Sequence, residues 1–283
     1  MALATLKEVL ASKNDYRAIG AFSTYDLYTA QGIIEGAQRV NLPVIAMVGA
    51  PVLARPGNDY IGKILVSLAE KAKVPVVVFL DHSKDYGQCL KAMKMGFSAV
   101  MIDGSHLSFE ENIILTSKVK EVAYHLGASV EGELGALAGI EDGEEVKNSK
   151  MTDPAKVSEF VNSSGVDALA ISIGNAHGLY QGDPDLNFDI LRECEKVSSV
   201  PLVLHGGTGM TQEKFALAVK YGIKKINIGT EVKKSYIEAF ISTHEQKPSS
   251  YDMIGIPQSA KDAVAQLVAD KLTFFATEWQ KAI

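Results

Sequence analysis

The sequence predicts an α/β protein whose parallel strands close into a single (β/α)8 barrel with an extra C-terminal helix. Three observations carry that expectation. Eight apolar runs of strand length recur, their starts roughly 24 to 39 residues apart. The segments between them carry apolar residues at helical spacing, and the polar residues that interrupt the pattern fall just past the C-terminal ends of the runs. An open, doubly wound sheet also satisfies the first two observations. Eight units in 283 residues favour closure, because such barrels run to about 250 residues as one domain. No linker or low-complexity stretch divides residues 1–283, so the chain reads as one domain.

The first run, Ala18–Ser23, leads into Ile33, Ile34, Ala37 and Val40 at helical spacing, and the second is Pro43–Val48. Pro75–Leu80, Ala99–Ile102 and Ser129–Leu134 follow, and then a polar loop, Glu141–Lys150, rich in Gly, Asp and Glu, which reads as a mobile flap. Val157, Phe160 and Val161 mark the helix before the sixth run, Ala168–Ile173. Pro201–Leu204 and Lys225–Ile228 complete the set. Continuous Val, Ile and Leu mean strands buried on both faces, as in a parallel sheet. Beyond them, Ala263, Val264, Leu267, Val268 and Leu272 give the tail from Ala260 to Trp279 a helical face, to pack on the barrel or on a second subunit.

Hydrophobic residues make up 47% of the chain and charged residues 22%, the balance of a soluble globular enzyme. A formal charge of −6 argues against nucleic acid as a partner, which needs clustered Lys and Arg. It leaves anionic small molecules open, because backbone N–H groups at helix N-termini hold phosphate without net basic charge. Cys89 and Cys194 fall within amphipathic helical patterns and read as small buried hydrophobes. Met1 to Lys13 lacks a basic-then-apolar signal pattern, and no apolar run approaches about 18 residues. The expected location is therefore cytoplasmic, with no membrane partner.

Chemistry concentrates at the strand ends. The third run ends in Asp81-His82, the fourth in Asp103-Gly104-Ser105-His106, and the fifth carries Glu131 and Glu133. The sixth runs into Gly174-Asn175-Ala176-His177-Gly178, the seventh into His205-Gly206-Gly207-Thr208-Gly209, and the eighth ends Asn227-Ile228-Gly229-Thr230. In a barrel these ends converge on the face where active sites are built. His82, His177 and His205 singly fit satisfied structural histidines; together they fit three metal ligands with an open position, the donor set of a catalytic zinc. His106 is placed to compete as a ligand or to support one. His125, in a helical pattern, and His244, in a polar loop, read as structural or solvated. The turns after the seventh and eighth runs are small and Thr-bearing, which suits either tight connections or a phosphate cradle.

Leu80-Asp81-His82, Met101-Ile102-Asp103-Gly104-Ser105-His106, Glu131-Gly132-Glu133-Leu134-Gly135, Gly174-Asn175-Ala176-His177-Gly178-Leu179-Tyr180 and Leu204-His205-Gly206-Gly207-Thr208-Gly209 together resemble the class II ketose-bisphosphate aldolases. The order is right and the similarity spans nearly the whole chain. That family includes fructose-bisphosphate and tagatose-bisphosphate aldolases. The resemblance implies a zinc-dependent, reversible aldol cleavage of a phosphorylated ketose to dihydroxyacetone phosphate and an aldehyde. It implies His82, His177 and His205 as zinc ligands, Glu133 as an alternate ligand, and Glu131 as support close by. Asp81 takes the position that handles the proton on the C4 hydroxyl, and Glu141, in the flap, that of the proton-abstracting acid. Gly178, Gly206, Gly207, Thr208, Asn227, Ile228, Gly229 and Thr230 fall where the family holds the phosphate, with a monovalent cation, Na+ or K+, nearby. A homodimer or homotetramer is the expected assembly.

Departures from the family pattern stand at Ser23, Gly49, Ser83 and Gly229. They cluster where sugar hydroxyls or a second phosphate would lie, so the aldehyde half need not be glyceraldehyde 3-phosphate. Arg55 is the candidate partner of a distal anionic group. A Schiff-base aldolase would need a lysine at the barrel mouth, whereas Lys224 and Lys225 start the eighth strand, on the wrong face. No His-x-His pair on an early strand supports a zinc hydrolase. A non-catalytic sugar-phosphate-binding homologue is the alternative from another class, and Asp81 and Glu141 argue against it, since binding needs neither.

Overall fold

Apolar runs that bury both faces of a strand need helices on one side and a filled interior on the other, and the chain meets both needs by closing on itself. The computed structural model describes the backbone of residues 2–11, 17–141, 144–146, 149–178, 184–249 and 251–283, without the side chains of 140, 141 and 144–146. The first half comprises α1 (Leu6–Ala11), β1 (Ile19–Ser23), α2 (Leu27–Val40), β2 (Val44–Gly49), α3 (Ala50–Leu53), α4 (Asp59–Glu70) and β3 (Val76–Ser83). Then come α5 (Tyr86–Lys94), β4 (Ala99–Ile102), α6 (Phe109–Leu126), β5 (Ser129–Leu134), β6 (Ala138–Glu141), β7 (Glu144–Val146) and α7 (Pro154–Ser164). The last part holds β8 (Ala168–Ile171), β9 (Ala176–His177), α8 (Phe188–Val197), β10 (Leu202–Leu204), α9 (Gln212–Lys220), β11 (Ile223–Ile228), α10 (Thr230–Glu245) and α11 (Gly255–Thr273).

Strands β1, β2, β3, β4, β5, β8, β10 and β11 form the closed barrel in that order, every neighbouring pair parallel. The expected doubly wound alternative is thereby excluded. All residues of β1, β2, β4, β5, β8 and β10 are buried, which is why these strands read as unbroken apolar runs. The third strand extends past Leu80 to Ser83, the sixth stops at Ile171 rather than Ile173, and the eighth begins at Ile223 rather than Lys225.

Local signals set the helix ends. Asp26 and Thr29 form a reciprocal capping box on α2, as Ser108 and Glu111 do on α6, where Gly127 closes the other end in the left-handed region. The long tail helix α11 lies along α2 and α10 of its own barrel. A Cβ at Gly32 would stand 2.8 Å from the Lys261 carbonyl oxygen, and one at Gly36 2.4 Å from that of Ala265, so these two glycines admit the close helix contact. At the opposite end of the chain, Ala4 N–H donates to Val76 O and Lys7 N–H to Ser129 Oγ, tying the first residues to the start of β3 and β5.

The polar segment expected as a loop over Glu141–Lys150 is organised differently. β6 and β7 form an antiparallel hairpin, with Gly139 opposite Val146 and Glu141 opposite Glu144, and β6 pairs in parallel with β9, placing Gly139 beside His177. Backbone pairing satisfies the N–H and C=O groups of the hairpin whatever its side chains, and its Glu-rich sequence leaves no apolar run to read.

Candidate active site

Alternation along a strand sends residues i and i+2 to the same face, and the inward faces of β3, β5 and β11 carry polar groups where the barrel opens. Asp81 is 3% exposed and accepts from Asn227 Nδ2 at 3.3 Å across the barrel. The other amide atom of Asn227, Oδ1, is buried and has no hydrogen-bond partner, an acceptor directed at this space.

His82, next in sequence, sits in a left-handed conformation, φ 48°, and the pairing of β3 with β4 shifts register between Leu80 and Ser83. This irregularity turns the His82 ring toward the mouth. Its centroid lies 4.7 Å from that of His177 and 4.7 Å from that of His205, both edge-on, and ligand atoms of the three rings lie within 4.8 Å of one another. The sequence therefore named three histidines that the fold brings together. His205 is fully buried; His82 and His177 are partly exposed, so one side of the cluster is open.

The protonation pattern follows from the partners. His205 Nε2 lies 2.8 Å from Glu131 Oε1, and a carboxylate can only accept, so the proton sits on Nε2 and the Nδ1 lone pair faces inward. His82 turns Nδ1 toward Asp103 Oδ2 at 3.5 Å and Glu133 Oε2 at 3.8 Å, which leaves its Nε2 facing inward. The two inward nitrogens approach to 2.7 Å. Converging lone pairs backed by carboxylates make a cation site, and the donor set suits a metal ion of the zinc type. His82 also belongs to a second candidate set with Asp103 and Glu133, on its Nδ1 side. Burial raises the Asp103 carboxyl, but the His82 hydrogen bond and charge, with Ser105, outweigh it and hold it well below the usual carboxylate range. Burial pushes Glu131 upward against the opposing charge of Lys225.

Beside the histidines, Gly178, Gly206, Thr208, Asn227, Gly229, Thr230 and Lys233 line a small cavity. The expected cradle residues Gly207 and Ile228 are not among them: Gly207 is tied to Asn227 O, and Ile228 is fully buried in the core. Gly229 precedes α10 with no side-chain cap of its own; Glu231 N–H donates to Thr208 Oγ1 at 3.4 Å and Val232 N–H to Gly229 O, and Gly229 and Thr230 border the cavity at the positive end of the helix. Gly206, φ 65°, would carry a Cβ only 2.0 Å from the Ala176 carbonyl oxygen, and this approach seats the His205 turn against the His177 strand. Asn175 fastens the same join, donating from Nδ2 to His205 O at 3.0 Å.

Lys233 was not expected from the sequence; its ammonium lies 4.9 Å over the Tyr25 ring, one helical turn into α10. Its signal was present, three residues after Thr230. Glu141 ends β6, two residues past the Gly139–His177 pair, and its side chain lies outside the described residues. Ser83 is engaged with Asp85 O and Gln88 Oε1 at the start of α5, a structural use that removes it from the residues free to meet substrate. Arg55 is exposed in the turn after α3. His106 and His125 are exposed, and His244 belongs to α10 rather than a loop. Cys89 and Cys194 are free and buried, and burial pushes both thiols up to about 12.

With this geometry the chain was compared with known proteins. The sequence pattern of the family described as fructose-bisphosphate aldolase class-II matches residues 4–279. A sulfofructosephosphate aldolase of Alkalicoccus urumqiensis is 37% identical over 270 residues, covering 95% of this chain and 94% of its own. A fructose-bisphosphate aldolase of Staphylococcus epidermidis is 36% identical over 282 residues, covering 98% of each. Among solved structures, the YdjI aldolase of Escherichia coli K12 superposes with a TM-score of 0.85 at 31% identity, over 99% of this chain and 100% of that one.

Proposed function

The chain belongs to the class-II fructose-bisphosphate aldolase family and is an aldolase, a carbon–carbon lyase, and from that premise we propose that it cleaves a phosphorylated ketose, reversibly and with zinc, to dihydroxyacetone phosphate and an aldehyde. The observation that carries the proposal is the convergence of ligand atoms of His82, His177 and His205 within 4.8 Å of one another beside a small cavity lined by Gly, Thr, Asn227 and Lys233. These three histidines would hold the ion, with Glu133 as an alternate ligand beside His82. A bound zinc supplies positive charge where negative charge develops on the ketone oxygen.

The protein's own groups do the rest. Gly206 and Thr208, the start of α10 from Gly229 and Thr230, and Gly178 hold the phosphate, with a sodium or potassium ion beside it, and so fix the ketose in register with the histidines. Asp81, held by Asn227 Nδ2, takes the proton from the C4 hydroxyl as the C3–C4 bond breaks, and returns it in the synthetic direction. Glu141, on the hairpin tied to His177, handles the proton at C3. Subunits pair to a homodimer or homotetramer; the exposed Ile237 and Ile241 of α10 and the exposed Met253 and Ile254 before α11 support an apolar contact face.

The test is aldol cleavage by purified protein, read as dihydroxyacetone phosphate, on fructose 1,6-bisphosphate, tagatose 1,6-bisphosphate and sulfofructose phosphate. Release that a chelator abolishes and zinc restores is the expected result. Metal-saturated protein that releases nothing from any of them would refute the proposal.

A further inference from the structure

Lys225 stands where the sequence reading did not put it. Rather than flanking the start of the eighth strand, its side chain is fully buried inside the barrel, two residues before Asn227 on the same inward face. Its ammonium lies 3.0 Å from Glu131 Oε2 and 3.1 Å from Glu131 Oε1, and 4.2 Å over the Phe79 ring. The ammonium donates to Oε1, while Oε2 stands at ion-pair distance without a hydrogen-bond partner. The same Oε1 receives His205 Nε2 at 2.8 Å. No side-chain atom of Lys225, Glu131 or His205 reaches solvent.

We propose that Lys225 is a positioning residue for the metal centre: by clamping Glu131 it fixes the carboxylate that sets the ring plane and tautomer of His205. A lone buried carboxylate can rotate about its last torsion and offer either oxygen. One that takes a hydrogen bond from an ammonium at Oε1, with Oε2 held within ion-pair distance of the same ammonium, resists that rotation and keeps Oε1 toward His205. Because that acceptor receives Nε2–H, the Nδ1 lone pair of His205 points at the space shared with His82 and His177. Three strands are linked in this way, β11 to β5 to the end of β10, and Phe79 of β3 completes the pocket around the ammonium. A lysine serving only to neutralise charge in the core would need no connection onward to a histidine, whereas the oxygen that Lys225 bonds is the one that receives His205.

The inference rests on reading His205 as a metal ligand, and the experiment separates the two. Lys225→Met keeps the length of the side chain and removes its charge. In metal-free protein, long-range proton–nitrogen NMR of the histidines reads the His205 tautomer directly. Competition with a chromogenic chelator reads Zn2+ affinity, and the visible bands of the Co2+-loaded protein read ligand geometry. The expected result is a mixed tautomer at His205, a loss of Zn2+ affinity of about 10- to 100-fold, and shifted Co2+ bands. If Lys225→Met does not fold, the double variant Lys225→Met/Glu131→Leu removes the buried charge altogether and is expected to fold and to show the same three changes. A folded variant with the wild-type tautomer, Zn2+ affinity and Co2+ spectrum overturns the inference. Wild-type protein that binds Zn2+ through His205 yet cleaves no ketose phosphate would instead sink the proposed reaction and leave this inference standing.

Discussion

Replacing Gly206 by Ala tests how the two histidine loops are joined. Gly206 follows His205 directly, at φ 65°, and an added Cβ would stand 2.0 Å from the carbonyl oxygen of Ala176, the residue before His177. Ordinary contact begins at 3.4 Å, so the two loops must part by about 1.4 Å. The left-handed backbone costs an alanine about 1–2 kcal/mol, and the forced displacement in a packed region costs about 1–3 kcal/mol more. At about 2–4 °C per kcal/mol, the melting temperature should fall by roughly 4–20 °C. Activity should fall further than stability suggests, because a misplacement of about 1 Å among reacting groups costs on the order of 100-fold. Gly127→Ala provides the control: it also has positive φ, 71°, but nothing lies within 4 Å of its added Cβ. That variant should show the backbone cost alone, with metal affinity unchanged. Scanning calorimetry and chelator competition on both proteins make the comparison. Gly206→Ala melting no lower than Gly127→Ala, with full Zn2+ affinity, would refute the claim that this contact seats His205 against His177.

Three further outcomes are expected. Asp81→Asn keeps the shape of the side chain and removes the proton acceptor, so kcat should fall about 10²- to 10⁴-fold while elemental analysis finds bound metal undiminished; an unchanged kcat would remove Asp81 from the chemistry. Lys233→Met should raise KM for a phosphorylated ketose about tenfold, the equivalent of one charge-assisted contact, with kcat little altered and with unphosphorylated dihydroxyacetone handled as before. Equal losses on both substrates would mean that Lys233 serves the fold rather than the phosphate. Ile241→Glu on the exposed face of α10 should shift the light-scattering mass toward the monomer, and an unshifted mass would place the subunit contact elsewhere.

The parts of this molecule that sequence reveals are those where one physical demand dominates. Strands such as Val44–Gly49 are buried along their whole length, so nothing but apolar or small residues fits, and the run is visible. His82, His177 and His205 were visible for the complementary reason, as polar residues breaking such runs at one end. Where two demands compete, the reading fails. The β6–β7 hairpin is held by backbone pairing and is rich in Glu, so its strand character leaves no apolar pattern in the sequence. Lys225 reads from the sequence only as the start of the eighth strand, away from the barrel mouth, although alternation from Asn227 already places it inward. Ser83 stands out in the sequence as a departure from the family pattern near the sugar; its hydroxyl is consumed by the turn into α5, which only the extension of β3 to Ser83 reveals.

That extension also explains how adjacent residues serve one site. In a regular strand Asp81 and His82 would point to opposite faces, one toward the interior and the other toward the surrounding helices. Asp81 does point inward, to Asn227. His82 reaches the same space because its φ of 48° and the register shift against β4 rotate the backbone by one step. A left-handed conformation at a non-glycine residue costs on the order of 1–3 kcal/mol and survives only where neighbours hold it. Here they do: Ser83 O accepts from Asp103 N–H at 2.7 Å just beyond the twist, and Asp103 and Glu133 flank His82 Nδ1. The carboxylates that hold the ring are thus also the ones that keep its backbone strained. This coupling makes the Asp-His pair at the end of β3 a single unit: relaxing His82 into the strand would swing its ring away from His205 and take the partner of Asn227 with it.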